Sequence, residues 1–289
     1  MSACVIPLKP GVKLGRLSGI KSLPPFPAVA AKLLGLINDD DSGFRDVSRW
    51  LMTDTALSSE VLRLANSAVF GFRQEVTTIL KALCLVGTNR VRDIVVTVSL
   101  RNYMSRGDNV LLRDCWRHSL ASALWAEMLS QYYKLDKPLS YTAGILHDLG
   151  RIALIMLLPK DYGFLLEAAS GMESDSRELE RELFDYDHCQ IGQYLAKVWN
   201  FQPALGDVIA NHHDEVTPAT PRYQALIRAS CTAASMSGFH AVGCERKWEP
   251  EIIAGLLPDS GKGAPPPLDH LMEKVLAELN LIECSLLQF

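Results

Sequence analysis

Ile94-Val95-Val96-Thr97-Val98 is the stretch on which the fold class turns, because five β-branched residues in succession are the one place where a strand could hide. The run lies inside a longer apolar stretch without turn signals at its edges, which reads as a buried helix rather than a strand. The flanking chain agrees. Apolar positions recur at helical spacing at Val29, Leu33, Leu36 and Ile37, at Leu57, Val61, Leu64 and Ala65, and at Leu120, Leu124, Met128 and Leu129. Alternation of period two is hard to find anywhere, so the fold class is all-α.

Helix breaks are expected at Pro24-Pro25, at residues 38–43, near Thr53-Asp54 as an N-cap, at residues 105–108, and near Pro138, Pro159, Gly171 and Pro203. They divide the chain into ten or more short helices. The polar segment 105–109 is the best internal boundary, since five of the seven histidines lie between residues 118 and 213. The organisation expected is a tail over 1–19, an N-terminal helical part over 20–106, a histidine-bearing bundle over 107–240, and an extension over 241–289 in which a Pro- and Gly-rich stretch isolates a last helix. On that helix Leu268, Leu271, Val275, Leu279, Ile282 and Leu286 form one apolar stripe. Docking onto the chain's own bundle is favoured, with pairing to a second copy as the alternative.

The 289 residues are 48% hydrophobic and 21% charged, enough for a large core and incompatible with disorder. A formal net charge of −4 offers no general attraction for phosphate backbones, so nucleic acid is not an expected partner. Seven scattered cysteines without a Cys-x-x-Cys pair fit reduced thiols in a cytoplasmic protein. No apolar run approaches the ~20 residues of a membrane helix, and no membrane partner is expected. The segment Gly255 to Lys262 superficially resembles a phosphate loop, but five residues rather than four separate its glycines and Gly263 stands where Ser or Thr would hold magnesium.

Chemistry concentrates elsewhere. His147-Asp148 emerges from the apolar run Ala143-Gly144-Ile145-Leu146, with His118 upstream and His188 and His212-His213 downstream. Imidazole nitrogens and carboxylate oxygens are the mixed ligands of zinc, iron, manganese and nickel sites, and helices can bring such residues to one point in a bundle core.

These residues resemble the HD superfamily, and more closely its HDOD domain. The likeness runs in order through Leu23-Pro24-Pro25-Phe26-Pro27, Arg63-Leu64-Ala65-Asn66-Ser67-Ala68 with Phe70-Gly71, Trp116-Arg117-His118-Ser119-Leu120-Ala121, Gly144 to Arg151, and Asp187-His188 ending at His212-His213. It implies an HD-type helical bundle with an N-terminal helical subdomain and a role in bacterial signalling. Relative to the HD-GYP branch, which hydrolyses cyclic di-GMP with metals, His118, His147, Asp148, His188, His212 and His213 match metal-site positions. Asp114, four residues before His118, stands where that branch carries an acidic ligand. Arg151 replaces a lysine and becomes the candidate phosphate contact, with Asp148 the other candidate catalytic group. The Gly-Tyr-Pro segment is absent, and Ser230 or Cys231 occupies the region of the closing aspartate.

Expected from this resemblance is regulation through protein contacts with signalling partners in trans, tuned by a divalent metal (iron, manganese, zinc or nickel) or a nucleotide. The alternative is an active metal-dependent phosphohydrolase on a cyclic dinucleotide or other nucleotide. On the regulatory reading, Asp114, His118, His147, Asp148, His188 and the 212–213 doublet should share one pocket, and the missing closing aspartate and Gly-Tyr-Pro segment should leave turnover of cyclic di-GMP absent or very weak. Each residue also has a plainer role: the His-Asp pair as a bonded helix end, His212-His213 as a solvated helix terminus, Arg151 as a salt-bridge partner, Cys231 as a small core residue. Asn66-Ser67 reads as a helix end. Trp50, Trp116, Trp125 and Trp199 read as core or interface, and His240 and His270 as surface.

Overall fold

A computed structural model describes residues 19–20, 23–35, 44–67, 70–104, 109–169, 176–241, 247–258 and 267–287. The expected tail over 1–19 apart from Gly19, the breaks at 38–43 and Gly171, the boundary segment 105–109 apart from Asn109, and most of the proline spacer lie outside these residues. Among those described there is no strand.

The N-terminal part comprises α1 (Ala28–Gly35), α2 (Phe44–Leu51), α3 (Thr55–Ala65), α4 (Ile79–Val86) and α5 (Thr88–Met104). The β-branched run sits in the middle of α5, where Val91 through Leu100 are all buried. α5 packs against α1, α3 and α4 on one side and against two bundle helices on the other. A helix covered all round can be apolar all round, and this packing overrides the local strand preference. Its Thr97 hydroxyl donates to the Asp93 carbonyl at 2.7 Å and lies 2.7 Å from the Tyr141 hydroxyl.

Asp54 caps α3 by accepting from Leu57 N–H at 2.9 Å, as the Thr53-Asp54 pair implied. Asn66 ends that helix and does more. Its amide donates to the carbonyls of Leu62 and Val76 and accepts from Val76 N–H, at 2.7–2.8 Å, pinning the following loop.

The bundle consists of α6 (Val110–Tyr133), α7 (Lys137–Leu146), α8 (Leu149–Leu157), α9 (Pro159–Ala169), α10 (Ser176–Phe184), α11 (His188–Val198), α12 (Pro203–Asn211) and α13 (Arg222–Met236). The closest pairings are α6 with α7 and α13, and α11 with α8 and α12. Short α14 (Pro250–Leu256) and long α15 (Leu268–Leu287) follow. α15 lies on α6 and α3, and Leu268, Leu271, Val275, Leu279 and Ile282 are buried there; the Leu286 side chain lies outside the description. Arg90 pairs with Glu127 at 2.7 Å and with Glu278, and Arg117 with Glu283 at 2.6 Å, so the stripe is covered by the chain itself. Trp116 and Trp125 are core residues, whereas Trp50 is 41% exposed with Lys32 Nζ 5.2 Å from its ring centre. Among the described residues no single helix is long and apolar enough to cross a membrane.

Candidate metal centre

Each histidine reaches the centre for a local reason. α7 ends at Leu146 and α8 starts at Leu149, so His147 and Asp148 occupy the corner between two buried helices. α11 begins at His188 behind a capping box, in which Asp187 accepts from Gln190 N–H at 2.8 Å and Gln190 accepts from Asp187 N–H at 3.1 Å. His212 is the C-cap of α12. His118 sits mid-way along α6, facing α13.

Around Asp148 the geometry is tight. Its Oδ2 lies 4.0 Å from Nε2 of both His118 and His147, and its Oδ1 lies 3.5 Å from His188 Nε2 and 3.6 Å from His212 Nε2. No residue of this set exceeds 2% exposure. His213, half-buried, joins the group of Asp148, His188 and His212, while Cys231 joins His118 and His147, the ligand atoms of each group lying within 4.8 Å of one another.

The outward ring nitrogens fix the inward ones. His118 Nδ1 pairs with the Phe239 carbonyl at 2.5 Å, His147 Nδ1 with that of Gly144 at 2.6 Å, and His212 Nδ1 with that of Ile209 at 2.8 Å. A carbonyl only accepts, so each Nδ1 carries a proton and each Nε2 is the nitrogen that faces the interior. Burial also lowers the pKa of His118 and His147, keeping both rings neutral. His147 Nε2, His212 Nε2 and Asp148 Oδ1 are buried without a hydrogen-bond partner. Three converging orphaned acceptors are costly unless a cation satisfies them. This donor set fits a divalent transition metal.

Arg151 completes the wall. Its guanidinium, 3% exposed, donates to Asp148 Oδ2 at 2.8 Å, to the Tyr162 hydroxyl at 2.8 Å, to Ser176 at 3.2 Å, to Glu180 at 3.3 Å and to His188 Nε2 at 3.1 Å. Glu180 in turn accepts from His188 N–H at 2.8 Å, His188 Nδ1 at 2.6 Å and the Tyr162 hydroxyl at 2.7 Å. Burial would raise the Asp148 carboxyl, yet the Arg151 guanidinium holds it well below its usual range. Glu180 is likewise opposed by burial but held at about 2 by His188 and Arg151.

An acid whose folded pKa is depressed contributes stability above its ordinary pKa of 4.5 and loses it as pH falls toward 2. At about 1.4 kcal/mol per unit, that contribution is about 3 kcal/mol. Urea unfolding of the wild type and Glu180→Gln between pH 6 and 2 should therefore show a stability gap that closes below pH 4.5. A gap that stays constant across this range contradicts the assignment.

Of the residues singled out in the sequence, His118, His147, Asp148, His188, His212 and His213 come together, and Arg151 stands among them as a salt-bridge partner. Asp114 does not join. It lies one turn, about 6 Å of rise, toward the start of α6, where its side chain is 45% exposed and 3.8 Å from Arg113. There it lines a cleft of about 270 Å³ with Arg117, Phe239 and His240. Of the two residues near the missing aspartate, Cys231 is the one at the centre, its Sγ 3.4 Å from His118 Nε2; Ser230 bonds its own helix at the Leu226 carbonyl. Glu180, Tyr162, Ser176 and Cys189 were not legible as site residues, although Ser176, Glu180 and Phe184 share the i, i+4, i+8 face that α10 buries.

The helical bundle with histidines converging on a His-Asp corner defines an HD-type protein. The HDOD domain family matches residues 23–215, and the chain belongs to that family. Its fold is similar to that of a candidate phosphohydrolase from Shewanella amazonensis, at 24% identity and a TM-score of 0.71 over 94% of this chain and 97% of that one. An HDOD domain protein of unknown function from Geobacter sulfurreducens is similar at 23% identity and a TM-score of 0.70, covering 94% and 95% of the two chains. In sequence, an uncharacterized protein of Treponema pallidum is 25% identical over 211 residues, which are 72% of this chain and 40% of that protein. The chain thus spans less than half the length of that curated relative.

Proposed function

We propose that this chain is a regulatory HDOD module that holds a divalent transition metal in a closed His/Asp centre and conveys the state of that centre to signalling proteins in trans. A metal bound there would act as a Lewis acid and tie α6 to the corner of α7 and α8 through His118, His147 and Asp148. The observation that carries the regulatory side is the engagement of Arg151. The group expected to grip phosphate makes five contacts inside the protein and is 3% exposed. The 270 Å³ cleft on the surface is lined by Phe239 but by none of the ligand side chains.

The enzymatic alternative draws on the same orphaned acceptors, because a metal with an open position activates water. Purified protein incubated with manganese or iron and cyclic di-GMP distinguishes the two. Turnover is expected to be undetectable. Rates of about 1 to 1,000 per second, abolished in His147→Ala, would replace the regulatory reading with the phosphohydrolase one. Metal analysis of the protein purified without added metal should meanwhile find a transition metal in the wild type and little in His147→Ala.

A further inference from the structure

Resting on the metal-centre reading above, we propose that the centre is mononuclear and thiolate-bound: one zinc-class ion held by His118, His147, Asp148 and Cys231, with the Arg151 guanidinium standing as the cation beside the remaining histidines. The two halves of the centre differ in what already satisfies them. On the His188 side, the guanidinium donates to His188 Nε2 at 3.1 Å, so the lone pair a second metal would need is engaged by a positive group that cannot be deprotonated.

On the other side Arg151 also donates, to Asp148 Oδ2 at 2.8 Å, but a carboxylate oxygen keeps a second lone pair for a metal, whereas an imidazole nitrogen has only one. His147 Nε2 is orphaned, and Cys231 Sγ lies 3.4 Å and Asp148 Oδ2 4.0 Å from His118 Nε2. A tetrahedral zinc site with N, O and S ligands has ligand-to-ligand edges of about 3.3–3.8 Å. Two of these edges, His118 to Cys231 and His118 to Asp148, lie within about 0.2 Å of that range, and the ligand atoms of His118, His147 and Cys231 lie within 4.8 Å of one another. Cys231 comes from α13, His118 from α6, and His147 and Asp148 from the corner of α7 and α8, so one ion would tie four helices together. Uptake would release the Cys231 thiol proton to solvent. A sulfur ligand favours zinc over manganese or magnesium, whose preferred ligands are oxygens.

Cobalt(II) is the probe, since it takes the same tetrahedral geometry and absorbs visibly, with a thiolate charge-transfer band in the near ultraviolet. The full-length protein, stripped of metal, is titrated with cobalt and then competed with zinc and manganese. One equivalent should bind with the thiolate band, zinc should displace it, and manganese should not. Cys231→Ser should lose the band and at least tenfold in affinity, while substitution of the exposed Cys84, Cys84→Ser, keeps both. Two equivalents in the wild type, no thiolate band, or a band that persists in Cys231→Ser would each overturn this proposal and leave the metal centre standing. No cobalt or zinc bound at all would overturn both. The wild-type stoichiometry and spectrum decide the matter even where a variant fails to fold.

Discussion

Gly150→Ala will destabilise the protein by about 3 kcal/mol or more, at or above the top of the usual range for overpacking. The reason lies in how closely α8 approaches α11. A Cβ built on Gly150 would stand 1.9 Å from the His188 carbonyl oxygen, 2.5 Å from Gly192 N and 2.8 Å from the His188 carbonyl carbon. These are backbone atoms of the first turns of α11, which cannot swing aside as a side-chain tip can. The helices must part, and the movement falls on the segment that carries His188 to Asp148 and Glu180. Metal uptake should consequently fall along with stability. A methyl group on Gly163, inside α9, would meet nothing within 4 Å, so Gly163→Ala should stabilise by about 0.5–1 kcal/mol through helix propensity. Urea unfolding of the two variants checks the contrast. If Gly150→Ala stays within about 0.5 kcal/mol of wild type, as an ordinary surface change would, the close approach of α8 and α11 is wrong.

Gly150 also shows what a motif means physically. In the sequence it was one letter in a family pattern, and in the fold it is the position where two helices touch through their backbones. The histidines were legible because their type is rare and their order matches a family, and the fold brings His118, His188 and His212 to the corner at His147-Asp148. The all-α reading of the Ile94–Val98 run succeeded since the surrounding stretch lacks turn residues, even though the local preference pointed the other way. Asp114 misled because i to i+4 spacing places two residues on one helix face without saying how far that face stays inside the bundle. Glu180 escaped notice for the opposite reason. In Ser176-Arg177-Glu178-Leu179-Glu180-Arg181-Glu182-Leu183-Phe184 three glutamates look alike, and only the packing of α10 against α9 and α11 shows which of them is buried. Selection of Cys231 over Ser230 depends in the same way on the rotation of α13.

Glu180→Ala is expected to cost about 3–5 kcal/mol, the range for removing one partner from a buried charge network. Fully buried, Glu180 accepts from His188 N–H, His188 Nδ1, Tyr162 and Arg151. Truncation leaves the first backbone N–H of α11 and the His188 Nδ1 proton without acceptors, and leaves Arg151 with Asp148 as its one carboxylate contact. A second consequence separates positioning from bulk stability. Glu180 holds the proton of His188 on Nδ1, which is what lets Nε2 accept from Arg151. Once that hold is lost, the ring can place its proton on Nε2, where it would face the guanidinium N–H, and the ring must turn. Nitrogen NMR of the imidazoles should report the change of tautomer at His188 while His118 and His212, held by the carbonyls of Phe239 and Ile209, keep theirs. Glu180→Gln, which preserves one carbonyl acceptor, should lose less stability and retain the Nδ1-H form. The exposed pair Arg177–Asp214 at 2.9 Å supplies the control, since Asp214→Ala should change stability by about 1 kcal/mol or less. Equal losses in Glu180→Ala and Asp214→Ala, or an unchanged His188 tautomer in a folded Glu180→Ala protein, would show that Glu180 does not orient the centre.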